Sequence, residues 1–137
     1  MVDTNALRVR LVTPDRILVD QTVDAVEVPS MSGYFEVLYG HAPLLAELGP
    51  GEVRLHGNRN DAGDRFNVAR GFVEVLPERV TILAEFAMKP EEIDKGAAQK
   101  ELDLGHKLWN EAGDDVHKYS HANEVIREAE SKLESSR

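Results

Sequence analysis

The first part of the chain alternates hydrophobic and polar residues in short runs. Leu7, Val9 and Leu11 alternate with arginines, which is the pattern of a strand that buries one face. The same alternation returns around Val53 and again around Val73. Turn-forming residues separate the runs, at 13–15, 30–33, 49–51 and 58–64. Up to about residue 88 the sequence therefore predicts many short strands, which are typical of a β-sandwich or a β-barrel.

The hydrophobic period changes at about residue 89. From there, apolar and small residues recur at steps of three and four, as they do on one face of a helix. The two sets are Ala98, Leu102, Gly105 and Trp109, and then Tyr119, Ala122, Ile126, Ala129 and Leu133. Between them, Gly113 is suited to end one helix and Asp114 to cap the next. Because helices joined by a short connection pack antiparallel, residues 89–137 are predicted to form a two-helix hairpin.

The predicted contact between these helices is rich in alanine and glycine. Such residues allow a close approach but bury little apolar area, and each buried methylene contributes only about 0.8 kcal/mol. The sequence therefore predicts a stable β domain at residues 1–88 and a weakly held helical hairpin at residues 89–137. A hairpin of this kind is suited to change its conformation.

Composition and charge exclude several classes of protein. The 137 residues have a formal net charge of −9 and include no cysteine. No basic patch is visible for nucleic-acid phosphates or an anionic membrane surface, and disulfides and thiol chemistry are excluded. No apolar run is long enough to cross a bilayer, and the N-terminus lacks the features of a secretory signal. We therefore expect a cytoplasmic protein whose partners are proteins.

Two histidines on the predicted second helix are candidates for chemistry. His117 and His121 stand four residues apart, as in the H-E-x-x-H motif of zinc proteases, but Lys118 occupies the place of the glutamate base. A simpler metal site that adds Glu124 is the alternative to a solvated helix face. We favour the solvated face and expect no metal.

His41 lies in the segment G-H-A-P at residues 40–43. Glycine and proline around it favour a turn or the end of a strand. A general base would need a nucleophile and an orienting group, and no G-x-S-x-G elbow accompanies it. Phosphate-binding loops are also absent from the sequence. We therefore expect His41 to be structural or interfacial and the chain to be non-catalytic.

Several sequence runs resemble one known family over nearly the whole chain. They are GYFEVLYGHAPLL at 33–45, LGPG at 48–51, GFVEV at 71–75, VTILAE at 80–85 and Ile93-Asp94 at the start of the helical part. Together they resemble the ε subunit of bacterial F-type ATP synthases. The resemblance implies an N-terminal β-sandwich of about ten strands, followed by a C-terminal antiparallel two-helix hairpin.

The same resemblance implies a non-catalytic subunit of the central rotor stalk, which couples proton transport to ATP synthesis. The implied partners are the γ subunit and the c ring for the sandwich, and the α and β subunits for the hairpin. In bacterial members the hairpin can extend along γ and inhibit ATP hydrolysis. The implied location is peripheral, at the cytoplasmic face of the plasma membrane. No cofactor, no nucleic acid and no direct membrane insertion are expected.

The resemblance also suggests particular contact residues. For the interface with γ and the c ring these are Tyr34, Tyr39 and His41; for inhibitory contacts with the catalytic subunits they are Lys118, Arg127 and Lys132. The alternative for the three basic residues is that they only solubilise the helix. The sequence departs from the family pattern at Glu36, which is usually glycine, at Tyr39, which is usually proline, and at Tyr34, whose position is often acidic.

Some members of the family bind ATP through the motif I/L-D-x-x-R-A. Here Ile93 and Asp94 are present, but Ala97 stands in place of the arginine. Without that guanidinium a phosphate-facing charge is missing, so we expect weak or absent ATP binding. Two other functions remain as alternatives: a free-standing nucleotide sensor that controls another enzyme, and a small metal-dependent hydrolase that uses His117, His121 and Glu124.

Overall fold

A computed structural model of the chain describes residues 6–57 and 64–136. The chain divides into two compact units, Met1–Met88 and Lys89–Arg137. The described strands all lie in the first unit and the described helices in the second. Most of the turn expected at residues 58–64 lies outside the described residues, which include only Asp64 of that segment.

The first unit contains eight strands among the described residues. They are β1 Leu7–Val12, β2 Ile17–Val23, β3 Ala25–Ser30, β4 Gly33–Leu38, β5 Leu44–Leu48, β6 Gly51–His56, β7 Arg65–Leu76 and β8 Arg79–Met88. Hydrogen bonding links them in the order β2-β1-β8-β7-β5-β3-β4, and β6 pairs with both β3 and β7. All the pairings are antiparallel except that of β1 with β8. The predicted sandwich is confirmed.

The strand count is lower than the expected ten because β7 and β8 are long. β7 spans 12 residues, and its two halves have different neighbours. Residues 65–68 pair with β6, whereas residues 71–75 pair with β5. The change occurs at Arg70 and Gly71, where φ is +57° and +154°. A Cβ at Gly71 would overlap the carbonyl oxygen of Leu83, so glycine allows β8 to pass close to this bend.

The core of the sandwich is built from the residues that the alternation placed inward. Leu7, Val9 and Leu11 are fully buried, and the outward arginines between them are exposed or half-buried. Val73 and Val75 are also fully buried, as their spacing predicted. One exception to the alternation is Glu52, a carboxylate that β6 buries next to Val53.

The second unit begins with a short 3₁₀ turn, Pro90–Glu92, and continues with α1 (Lys95–Glu111) and α2 (Val116–Ser135). Asp94 caps α1 by accepting a hydrogen bond from the backbone N–H of Ala97 at 3.1 Å. The expected cap of α2, Asp114, was wrong by one residue. Asp115 accepts the N–H groups of His117 and Lys118, at 2.9 and 3.3 Å. The reason is that Gly113, with φ +58°, begins a turn that extends the connection to residue 115.

The contact face of the hairpin follows the predicted period of three and four. Its buried positions include Ala98, Gly105, Ala122 and Ala129. A Cβ on Gly105 would come within 2.6 Å of Cγ1 of Ile126, which shows how closely the helices approach. The prediction for Trp109 was wrong in part, since it is 45% exposed. Its large ring lies at the edge of the contact, where it meets Tyr119 edge-on with centroids 4.8 Å apart.

We predict that Gly105→Ala weakens the hairpin. The added methyl would cost about 1–3 kcal/mol of overpacking against Ile126, while alanine's better helix propensity offsets at most about 1 kcal/mol. Gly96→Ala is the matched control, because it adds the same methyl to an exposed position in the first turn of α1. Trp109 is the single tryptophan, so thermal unfolding followed by its fluorescence reports on the hairpin. Equal midpoints for the two variants would contradict the close contact at Gly105.

Candidate interaction surfaces

Tyr34 lies at the start of β4 and is held by its neighbours. Its hydroxyl oxygen accepts a hydrogen bond from the backbone N–H of Glu52 at 2.8 Å. The guanidinium of Arg54 lies 5.5 Å from the ring centroid, within the range of a cation–π contact. Glycine at position 51 leaves room for the ring, since a Cβ there would meet the Tyr34 hydroxyl at 2.5 Å. Tyr34 is therefore an oriented aromatic surface that is still about half exposed.

The charges around Tyr34 form a compensated network. Arg54 donates from Nε and Nη2 to one oxygen of the buried Glu52 at 3.1 and 3.0 Å, and Arg65 donates to the other oxygen at 3.4 Å. The hydrogen bond to Glu52 raises the pKa of Arg54 above its ordinary value, and a second bond to Glu27 acts in the same direction. Two guanidinium partners explain how this carboxylate stays buried.

Tyr39 and His41 lie in the turn between β4 and β5. Gly40 has φ +88°, which favours glycine, and its N–H donates to the carbonyl of Pro77 at 2.6 Å. Nδ1 of His41 is 2.6 Å from the carbonyl oxygen of Ala42; because a carbonyl can only accept, Nδ1 carries the proton. The ring is thus hydrogen-bonded within the turn, and the structural or interfacial role of His41 stays a prediction.

The structure does not bring the three suggested interface residues to one point. Tyr34 begins β4 and Tyr39 follows its end. At roughly 3.3 Å per residue, five steps along an extended strand separate them by about 17 Å. Tyr39 and His41 share one end of the sandwich, next to the β7–β8 turn, and Tyr34 lies toward the other. They are two separate candidate contacts.

A strip of exposed apolar side chains, which sequence reasoning missed, crosses the outer face of the sheet. Its members are Leu45 on β5, Phe72 on β7, Leu83 on β8, Val12 on β1 and Ile17 on β2. Phe72 pairs with Leu83, Leu83 with Val12, and Val12 with Ile17, while Leu45 is diagonal to Phe72 in the register. Four of them are 52–71% exposed, and Val12 is half-buried.

This apolar strip is the strongest docking feature on the described part of the sandwich. Scattered exposed apolar residues are ordinary, but a contiguous row with an aromatic residue is typical of a protein interface. The available signal was an apolar residue at an outward position of an alternating strand. Phe72, which precedes the buried Val73 on β7 and is exposed, is the clearest example.

The metal alternative on α2 involves His117, His121 and Glu124. His117 and His121 line a shallow groove with Lys118, Leu108 and Glu111. Among residues 6–57 and 64–136, however, the donor atoms that come within 4.8 Å of one another belong to Glu27, Glu36 and His56 on the sandwich, and do not include Glu124. In that group, Glu27 is already hydrogen-bonded by Arg54 and by His56, each at 3.2 Å.

The three basic residues suggested for inhibitory contacts differ in their surroundings. Lys118 and Arg127 are exposed on α2. Lys132, by contrast, donates to both carboxylate oxygens of Glu101 on α1, at 3.0 and 2.9 Å. In the closed hairpin this lysine is therefore engaged with the chain itself.

The residues of the ATP motif also have local roles. The carboxylate of Asp94 caps α1, Ile93 is buried, and Ala97 presents only a methyl group at an exposed position. This arrangement leaves the segment without the charge that would face a phosphate. None of the described helices has the length and apolar character needed to span a membrane.

These features define a class of protein: a β-sandwich with an exposed apolar strip, joined in sequence to a thinly packed helical hairpin. The family model for the β-sandwich domain of the ATP synthase delta/epsilon chain matches residues 6–90. On this match and on the relatives that share it, the chain belongs to the ATP synthase epsilon chain family.

Individual relatives extend this comparison. The ATP synthase epsilon chain of Koribacter versatilis is 43% identical over 102 residues, which cover 73% of this chain and 68% of the relative. That of Herpetosiphon aurantiacus is 40% identical over 94 residues, covering 69% and 68%. A chain in the OSCP/F1/c-ring structure of the Euglena gracilis mitochondrial ATP synthase has a TM-score of 0.80 at 21% identity, covering 99% of this chain and 84% of its own. The last likeness shows the fold.

We predict that the full chain binds ATP weakly or not at all, because Ala97 supplies no guanidinium and Asp94 is used as a helix cap. Calorimetric titration with Mg-ATP measures this directly, and buffer without protein is the blank. Saturable binding at micromolar ATP would contradict the prediction and would favour the nucleotide-sensor alternative.

Proposed function

We propose that this chain is the non-catalytic ε subunit of the central rotor stalk of an F-type ATP synthase. In this proposal the sandwich docks on γ and the c ring, and the subunit couples proton transport to ATP synthesis. The hairpin limits ATP hydrolysis by contacting the α and β subunits. As part of the complex, the subunit lies peripherally at the cytoplasmic face of a bacterial plasma membrane. Membership of the epsilon chain family is the observation that carries the proposal.

The sandwich has the properties required of a docking body. A rotor subunit must transmit torque without shearing, and a fully buried two-layer core is suited to this. The apolar strip is the surface that we assign to γ, because its removal from water would favour association. Tyr34 at one end of β4, and Tyr39 with His41 at the other, are further proposed contacts with γ and the c ring. Their separation means that they would meet different parts of the rotor.

The hairpin has the properties required of a switch. A switch needs two states that differ by only a few kcal/mol. The fully buried positions of its contact face are small residues, mainly alanine and glycine, so opening the hairpin exposes little surface that was completely buried. Lys118 and Arg127 already face solvent and are proposed to meet acidic surfaces of the catalytic subunits, together with Lys132 once it is released.

We predict that removing the hairpin relieves inhibition while docking survives. The test compares the full chain with a form that ends at Met88, the last residue of the first unit. Each is co-purified with γ and then assayed for ATP hydrolysis in the reconstituted catalytic complex. We expect both forms to bind γ and only the full chain to lower hydrolysis.

The two halves of the proposal can fail separately in this comparison. Equal hydrolysis with both forms would refute the inhibitory role and leave docking intact. Failure of the full chain to bind γ would refute the rotor assignment itself. Binding of the shorter form to γ is the control for its folding.

We also predict that Phe72→Thr weakens binding to γ by about tenfold or more, because buried aromatic residues dominate many interfaces. Threonine keeps the strand propensity of an exposed β position, so the fold should persist. Met31→Ser is the control, since Met31 is 49% exposed but lies in the β3–β4 turn, outside the strip. Equal affinities of the two variants would show that the strip does not face γ.

A further inference from the structure

The ion pair between Glu101 and Lys132 joins the two helices in the half of the hairpin nearer its open end. The residues are 31 positions apart in sequence, and Nζ of Lys132 lies 3.0 and 2.9 Å from the two oxygens of Glu101. The lysine side chain is only 17% exposed and the glutamate side chain 42%. Lys132 is therefore packed along the hairpin and aimed at α1, unlike a lysine that merely solubilises a helix.

The position of this pair matters because the fully buried residues near it are small. Between the two helices lie Ala98, Gly105, Ala122 and Ala129, and the large aromatic contact of Trp109 with Tyr119 is at the other end, next to the connection. Alanine contacts hold the open end only weakly. A charge-assisted, two-oxygen contact there adds directional stabilisation that these contacts lack.

We propose that Glu101 and Lys132 form an electrostatic latch that holds the hairpin closed, and that Lys132 exchanges Glu101 for a carboxylate of a catalytic subunit when the hairpin opens. The second half of this proposal rests on the proposed inhibitory function; the first half does not. Nζ of Lys132 directs two of its three donors at Glu101, and the lysine side chain is only 17% exposed, so a partner carboxylate gains full access to Nζ once Glu101 is displaced. The closed hairpin and the inhibitory contact therefore compete for one cation.

This competition gives the two latch residues opposite effects on inhibition. Glu101→Gln breaks the latch and keeps the cation of Lys132, so it should favour opening and strengthen inhibition. Lys132→Gln breaks the same latch but removes the cation that the partner would bind, so it should favour opening and weaken inhibition. If the ion pair were purely structural, both variants would change inhibition in the same direction.

The latch itself is tested in the isolated full chain. Because the sequence contains no cysteine, Lys100→Cys and Glu130→Cys on the exposed faces of the two helices can carry a pair of spin labels. We expect Glu101→Gln and Lys132→Gln each to raise the separated population by about three- to fivefold, the effect of a partly screened ion pair. High salt should raise it in the parent and less in the variants.

Two controls keep this measurement specific. Lys107→Gln removes an exposed charge from α1 and should leave the label distances unchanged. The exchange of charges, Glu101→Lys with Lys132→Glu, should restore the closed population that either single reversal loses. Unchanged distances in Glu101→Gln, or a loss that the exchange does not restore, would overturn the latch.

The exchange of partners is tested by ATP hydrolysis in the reconstituted complex. Stronger inhibition by Glu101→Gln together with weaker inhibition by Lys132→Gln supports the transfer of Lys132. Equal changes of the same sign in both variants would overturn it. If the labels show opening but neither variant alters hydrolysis, the latch stands and the proposed inhibitory function fails.

Discussion

The close approach of α1 and α2 is the constraint on which the behaviour of the second unit depends. A methyl group on Gly105 would collide with the side chain of Ile126, so the helices approach closely at this point. That proximity is achieved with alanine and glycine, which bury little area, and it leaves the hairpin well fitted but weakly held. A contact that fits well but buries little area costs little free energy to open, unlike the packing of a hydrophobic core.

The sandwich meets the opposite requirement. Its inward side chains are almost completely inaccessible to solvent. β7 pairs with β6 before the bend at Gly71 and with β5 after it, and so connects these strands. The apolar strip on the outer face adds nothing to that core, which is already complete without it. Apolar side chains that a stable fold does not need are better explained by a partner, and the rigidity beneath them lets such a surface bind without reordering cost.

The fold could be predicted from local periodicity. Features that depend on contacts between distant segments could not. The inward face of β1 and the contact face of the hairpin followed from spacing alone, because alternation and the helical period are local properties. The cap at Asp115, by contrast, depended on how the connection turns at Gly113. The engagement of Lys132 depended on Glu101, which is far away in sequence. For the same reason, the strip appeared only when the strand register aligned residues from five strands.

An ion pair suits the open end of such a hairpin better than an apolar contact would. A pair of leucines at positions 101 and 132 would hold the helices more tightly, but opening would then expose apolar surface to water with no compensating partner. A lysine and a glutamate are hydrated when they separate, so the open state is accessible and the cation is ready for another carboxylate. An acidic partner can also replace Glu101, because its carboxylate would form the same charge-assisted hydrogen bonds with Lys132. Under the proposed latch, the hairpin responds to its partners and stays closed in their absence.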